Sequence, residues 1–204
     1  MSLMVVKSLR LFLALAFLTL QSINVSAQSA CLVSGRGQFR VYANAGGLFG
    51  AFAHDHLIEA QKIEGCANID PKNLSRSSVK VTFRTADLRV LDSKESADDR
   101  AKVQKTMETE VLRIAEYPQI TFESTGIETS GSDRFRVLGN LTIRGKSLPA
   151  VIPVVFKHLS EGTYEVTGEY KFKQSAFGIK PISLAGGTIK VKDELRSQFD
   201  LFLK

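Results

Sequence analysis

The chain has no tryptophan, two cysteines, three histidines and five prolines in 204 residues. Two cysteines, Cys31 and Cys66, are too few for a disulfide-dense miniprotein or a four-thiolate zinc site, so at most one bridge can form. Neither charge is in large excess, with 27 Lys plus Arg against 21 Asp plus Glu. The basic residues spread along alternating positions such as Lys171, Lys173, Lys190 and Lys192 instead of clustering, which argues against a nucleic-acid-binding face. Glycine and proline are too few, at 15 and 5, for collagen or low-complexity disorder. The sequence contains no Gly-x-Ser-x-Gly elbow, no glycine-rich phosphate loop before a helix and no cysteine in a recognisable reactive setting. No catalytic residue is therefore assigned, and an enzyme is not expected. What is present, 44% hydrophobic and 24% charged residues, describes one globular domain with a sizeable core.

No apolar run is long enough to cross a bilayer, which takes roughly 20 residues. The N-terminal run Leu11 to Leu18 follows Lys7 and Arg10 and precedes Val25-Ser26-Ala27, the small-x-small pattern of a signal-peptidase site. Residues 1–27 are expected to be a cleaved secretory signal and residues 28–204 a single domain in the periplasm, with no transmembrane segment after cleavage. Loss of Lys7 and Arg10 lowers the formal charge from +6 to +4. Ser29-Ala30-Cys31 offers a rival lipid-attachment reading, which Gln28 fits poorly, three residues before the cysteine where an apolar residue is usual. The better reading pairs Cys31 with Cys66 in an oxidising compartment, closing a 36-residue loop. Two free or buried thiols are the alternative.

From Gln28 onward the dominant pattern is period-two apolar alternation, the signature of extended strands. Phe39, Val41 and Ala43 form one row; Val79, Val81 and Phe83 another; Ile120 and Phe122 a third. Three longer rows run Phe135 to Ile143, Leu148 to Phe156 and Tyr164 to Phe172, separated by Ser130-Gly131-Ser132-Asp133, Arg144-Gly145-Lys146 and Glu161-Gly162 turns that suit an antiparallel meander. With long segments over about 57–69 and 188–203, the count is eight strands. That number suits a closed antiparallel barrel, while a two-sheet sandwich is permitted by the same alternation. One stretch breaks the period: Val103, Met107, Val111 and Ile114 form a helical stripe, with a start at Ser96 and a stop at Tyr117-Pro118. This single helix is expected to lie across a barrel opening, either controlling access or filling the hole.

The residues closest to a chemical motif are His54-Asp55-His56, after the stretch Gly46-Gly47-Leu48-Phe49-Gly50. In an extended segment His54 and His56 project to one side and could share a divalent ion. Further ligands would be required, and His158, Asp70 and Asp87 cannot be placed from sequence. The competing reading has His54 and Asp55 bonding backbone groups in a tight loop. Gly46-Gly47 and Gly186-Gly187 are expected at turns needing positive φ. Eleven of the 13 phenylalanines lie beyond residue 27, so whether the interior they line is filled or hollow becomes the functional question.

Three runs carry a resemblance. Glu116-Tyr117-Pro118-Gln119-Ile120-Thr121-Phe122-Glu123-Ser124, Val137-Leu138-Gly139-Asn140-Leu141-Thr142-Ile143-Arg144-Gly145 and Ala176-Phe177-Gly178-Ile179, in this order and spacing, resemble the YceI-like, lipocalin-like polyisoprenoid-binding proteins of bacterial envelopes. The resemblance implies an all-β fold with one helix, an eight-stranded antiparallel lipocalin-like barrel whose apolar interior holds a long isoprenoid chain. It implies no required cofactor, with a polyprenyl lipid or isoprenoid quinone as the bound molecule, and a homodimer is admitted as an assembly. Residues on the apolar rows, Phe39, Val81, Phe83, Phe122, Leu141, Phe172 and Phe199, are the candidate lining. His54 and His56 stand outside these runs, as a metal pair or as hydrogen-bond partners of a ligand head group at the pocket mouth. A metal-binding or enzymatic module around them, and a filled barrel acting through its charged outer surface, are the rival functions.

Overall fold

The structure is a computed structural model and describes residues 27–46, 55–70, 72–93, 95–160, 162–184 and 188–204. Apart from Ala27, the expected signal segment falls outside the described residues, as does His54. In chain order the strands are β1 Gln28–Ala43, β2 Ala45–Gly46, β3 His56–Ala60, β4 Glu64–Ile69, β5 Ser78–Arg84, β6 Leu88–Val90, β7 Gln119–Thr129, β8 Arg134–Ile143, β9 Lys146–Ser160, β10 Thr163–Lys173, β11 Ser183–Leu184, β12 Ile189–Val191 and β13 Glu194–Leu203, with helix α1 Ala97–Thr106 between β6 and β7.

Eight of these strands form a closed antiparallel barrel in the order β1-β4-β5-β7-β8-β9-β10-β13, with β13 returning to β1 from Leu32 opposite Leu203 to Tyr42 opposite Arg196. Closure decides for the barrel over the sandwich and leaves none of its eight strands at a sheet edge. The expected meander is present as consecutive neighbours β7, β8, β9 and β10. Arg144 and Gly145 join β8 to β9 with φ of 49° and 70°, the two positive values that a tight twisted hairpin requires.

β1 divides one edge between two partners: Gln28–Cys31 pairs with β4, and Arg40–Ala43 with β3, which in turn carries β6. A bulge lies between Leu32 and Gly37, where Gly35 and Gly37 have φ of 72° and 96°. The segment expected as one strand over 57–69 is therefore two strands that both pair with β1, and the inward residues change from even positions, Ile58 and Ala60, to odd ones, Gly65, Ala67 and Ile69. A slip of one residue exchanges the faces of a strand, so the chain has to leave the sheet at 61–63 to restore its apolar side to the interior. The last segment likewise divides into β12 and β13, with β12 in a separate three-stranded sheet ordered β11-β12-β2. Gly46 is extended in β2 opposite Lys190 and has no positive φ, while Gly47, Gly186 and Gly187, the other glycines expected at turns, lie outside the described residues.

The helical stripe is real but ends early. Ser96 caps α1, its Oγ accepting from the Asp99 amide at 3.1 Å. The helix passes into a single π-turn over Met107–Val111, and Arg113 at φ 51° ends it five residues before Pro118, the expected stop. Val103, Met107, Val111 and Ile114 pack with Phe83, Leu88, Val90 and Ala60, so the stripe closes one end of the barrel. We call this the helix end. The opposite end, where Gln28, Ile69, Tyr164 and Leu203 meet, is the Gln28 end.

Candidate functional site

The interior is built by the alternating rows, one inward residue every second position on each barrel strand. It is not uniformly filled. A cavity of about 110 Å³ occupies the middle of the barrel, and a second of about 90 Å³ continues toward the Gln28 end under Leu74 of the β4–β5 connection. Both are walled by Val79, Val137, Val154, Val166 and Leu203, and only apolar atoms face either space.

Five of the seven expected lining residues, Phe39, Val81, Phe83, Phe122 and Phe199, surround the larger cavity. The Phe39 ring lies 4.4 Å from Phe83 and 6.0 Å from Phe199, stacked on the latter. Leu141 and Phe172 point inward but line neither space. Leu141 is buried in a solid cluster with Ile143, Ala150, Phe177 and Ile179, and Phe172 meets the Phe177 ring edge-on at 6.0 Å. That cluster and the α1 cluster close the helix end. Arg144 ties them together, its guanidinium donating to the carbonyls of Val111 and Gly178 at 3.4 and 3.3 Å. Burial pushes the Tyr170 phenol, at the edge of the same cluster, above its ordinary pKa.

Two glycines explain why large rings coexist with open space. A Cβ on Gly139 would lie 2.6 Å from Cζ of Phe122, and one on Gly168 would lie 2.5 Å from Cζ of Phe199. Without those carbons the two rings lie against the backbone of the neighbouring strand instead of projecting across the lumen. The five shared walls are four valines and a leucine, side chains too short to meet across a barrel of this size.

His56 lines neither cavity. Its Nδ1 lies 2.6 Å from Oδ2 of Asp92, a carboxylate that is almost fully buried and also accepts from the Leu57 amide at 2.7 Å. Asp55 accepts from the Ala45 amide at 2.8 Å, tying β2 to the start of β3. His158 is at the Gln28 end, its ring tilted by 30° against that of Tyr164 with centroids 5.1 Å apart, so the two described histidines stand at opposite ends of the barrel. Asp70 accepts from the Lys72 and Asn73 amides and Asp87 pairs with Arg84, each engaged in its own turn. Among the described residues no three His, Cys, Asp or Glu side chains converge as metal ligands would. Cys31 and Cys66 sit opposite each other on β1 and β4 and are joined as a disulfide. No helix of the described residues is long and apolar enough to cross a membrane.

Known proteins share this architecture. The family model of the YceI-like domain matches residues 36–202. A UPF0312 protein of Azotobacter vinelandii is 32% identical over 124 residues, covering 57% of this chain and 60% of its own, and Protein YceI of Salmonella arizonae is 30% identical over 130 residues, covering 64% and 58%. The chain thus spans less than two thirds of the length of either curated relative. Among solved structures, Burkholderia cenocepacia BcnA superposes with a TM-score of 0.67 at 20% identity, over 84% of this chain and 98% of that one. A polyisoprenoid binding domain from Saccharophagus degradans superposes with a TM-score of 0.61 at 12% identity, over 87% and 98%. At these identities the structural likeness concerns the fold.

Proposed function

Since the chain belongs to the YceI-like family, we propose that it binds and carries a long-chain isoprenoid or similar apolar lipid inside its barrel. The observation that carries this reading is the wall itself: two adjoining cavities along the barrel interior, faced only by apolar atoms, between the Phe39 and Phe199 rings and Leu74. Such a space favours a molecule rich in methyl and methylene groups, each contributing about 0.8 kcal/mol on burial, and gives no grip to a polar metabolite. A cavity of 150 Å³ takes a six-carbon ring, so the two spaces together hold on the order of ten carbons, or about two isoprene units. A longer chain fits when the Phe39, Phe122 and Phe199 rings turn aside or Leu74 lifts. The role proposed is binding without chemical transformation.

Export to the periplasm is part of the same proposal. The N-terminal basic, apolar and small-residue pattern and a disulfide between Cys31 and Cys66 both suit an oxidising compartment.

The test is reloading. Protein stripped with organic solvent and incubated with a radiolabelled polyprenol should retain about one equivalent through gel filtration, and Val166→Phe, which fills the wall common to both cavities, should reduce retention at least tenfold while keeping a cooperative melt. Equal retention by the substituted protein would place the lipid outside the barrel.

A further inference from the structure

A sheet with one face on a core and one in water alternates apolar inward with polar outward side chains. On β9 the alternation fails. Ala150 is buried and Ile152 and Val154 line the interior, so the outward row is Pro149, Val151, Pro153 and Val155, the first three exposed. Leu138 of β8 lies beside Val151 in register, and Val151 and Leu159 of β9 are two of the three large apolar side chains left exposed among the described residues. Strand formation does not account for the prolines. Neither can donate to a ladder, and the β9–β10 register ends at Val154 opposite Gly168, so pairing stops where the outward row is most apolar. Cations border this row. The outward positions of β8, β9 and β10 hold Arg134, Arg136, Lys157, Lys171 and Lys173 against Glu165 and Glu169, five cations to two carboxylates, a net of +3. Arg136 pairs with Glu128 at 3.0 Å and Lys157 with Glu165 at 3.2 Å, whereas Arg134, Lys171 and Lys173 form no ion pair among the described residues. The outward rows of β4, β5 and β7 differ in both respects: Lys80 and Arg84 stand against Glu64, Glu123 and Glu128, a net of −1, with no aliphatic side chain among them.

We infer that this outer face, centred on Val151, docks the barrel side-on to an anionic phospholipid bilayer. The inference goes beyond the carrier reading and does not depend on what the barrel holds. From Pro149 to Val155 the row spans about 20 Å of extended strand, a line of short aliphatic side chains suited to the boundary between head groups and acyl chains. The flanking lysines and arginines have apolar stems and charged tips, so they lie along the same boundary with their charges among the phosphates. A bilayer thus meets the face in the order in which it is built, aliphatic in the middle and cationic around it. A second copy of the chain does not. Apposing two of these faces would set a net of +3 against +3, the like-charge contact that specific interfaces avoid.

Flotation of the protein with vesicles tests this, using phosphatidylcholine alone and phosphatidylcholine with about a third phosphatidylglycerol. The protein should float with the anionic vesicles at low salt, stay behind with the neutral ones, and be released as salt is raised to about 0.5 M. Val151→Asp, which sets a charge in the middle of the row, should lower partitioning at least tenfold while the melt stays cooperative. Arg134→Gln and Lys171→Gln should each lower it about fivefold, the effect of one cation near an anionic surface. Lys80→Gln, the same loss of charge on β5, should change it less than twofold. These proteins differ from one another at single positions, so any contribution of the N-terminal apolar run is common to all. Failure to float with anionic vesicles, partitioning unaffected by the three substitutions on this face, or an equal loss with Lys80→Gln would each overturn the docking face. So would a dimer in gel filtration that Val151→Asp dissociates, since a second copy would then cover the row. Retention of polyprenol inside the barrel is a separate measurement, and the carrier reading stands or falls on that alone.

Discussion

Single atoms decide whether this barrel is hollow. Gly139 and Gly168 each leave room for a phenylalanine ring against the sheet, so an added methyl group has nowhere to go: it meets Phe122 or Phe199 at under 3 Å and a backbone oxygen at 2.5 or 2.7 Å. Gly168→Ala should destabilise the fold by about 1–3 kcal/mol, read by denaturant titration, and displace the Phe199 ring into the larger cavity. Because the ring then occupies ligand space, lipid retention should fall further than stability does. Asp92 is a second decisive residue. Its two oxygens serve the His56 ring and the Leu57 amide, so Asp92→Ala leaves two part-buried groups without their partner and should cost about 1–3 kcal/mol, with faster amide exchange at Leu57 as its local signature.

At the level of elements, the turn at Gln174–Phe177 inserts Phe177 into the cluster closing the helix end, and Asp193 holds that turn by accepting from both the amide and the hydroxyl of Ser175 at 2.8 and 2.6 Å. Those bonds keep the Asp193 carboxyl below its ordinary pKa. A carboxylate whose pKa is lowered in the folded state stabilises above its unfolded value, near 3.9, and the contribution disappears as pH falls through the lower folded value. Amide exchange at Ser175, measured from pH 6 down to 3, should show this turn loosening below about pH 4, and Asp193→Asn should flatten the profile. The elements also show what the sequence made legible. Alternation identifies the inward rows because period two leaves no other geometry for a half-buried strand, and Phe39, Val81, Phe83, Phe122 and Phe199 accordingly face the larger cavity. It carries no coordinate along the barrel axis, so Leu141 and Phe172, equally inward, could not be told from lining residues. The shared wall of Val79, Val137, Val154, Val166 and Leu203 was missed for a different reason. Counting aromatic side chains locates what fills an interior, whereas space persists where the side chains are short. The break at 61–63 was written in the sequence as a change of apolar phase from even to odd positions. The early end of α1, by contrast, rests on Arg113 adopting a left-handed conformation and a π-turn that no cap residue announces.

For the whole molecule, closure by β1 and β13 encloses an interior with a packed end and a cavity-bearing end, and the disulfide fixes the β1–β4 seam beside the latter. Closing a 36-residue loop contributes roughly 4 kcal/mol in the chain-entropy model, so reduction should lower the melting temperature by many degrees and restore it on reoxidation. Reduction that left the melt unchanged would show the seam to be held by strand pairing alone. The central claim, that the open space belongs to an apolar lipid, is tested most directly by native mass spectrometry of the protein purified from its own host, followed by organic extraction of whatever it carries. The mass of the disulfide-bonded chain plus one extractable prenyl compound is the expected result; a chain that arrives without any adduct, and stays bare after incubation with its host's extracted lipids, would contradict it.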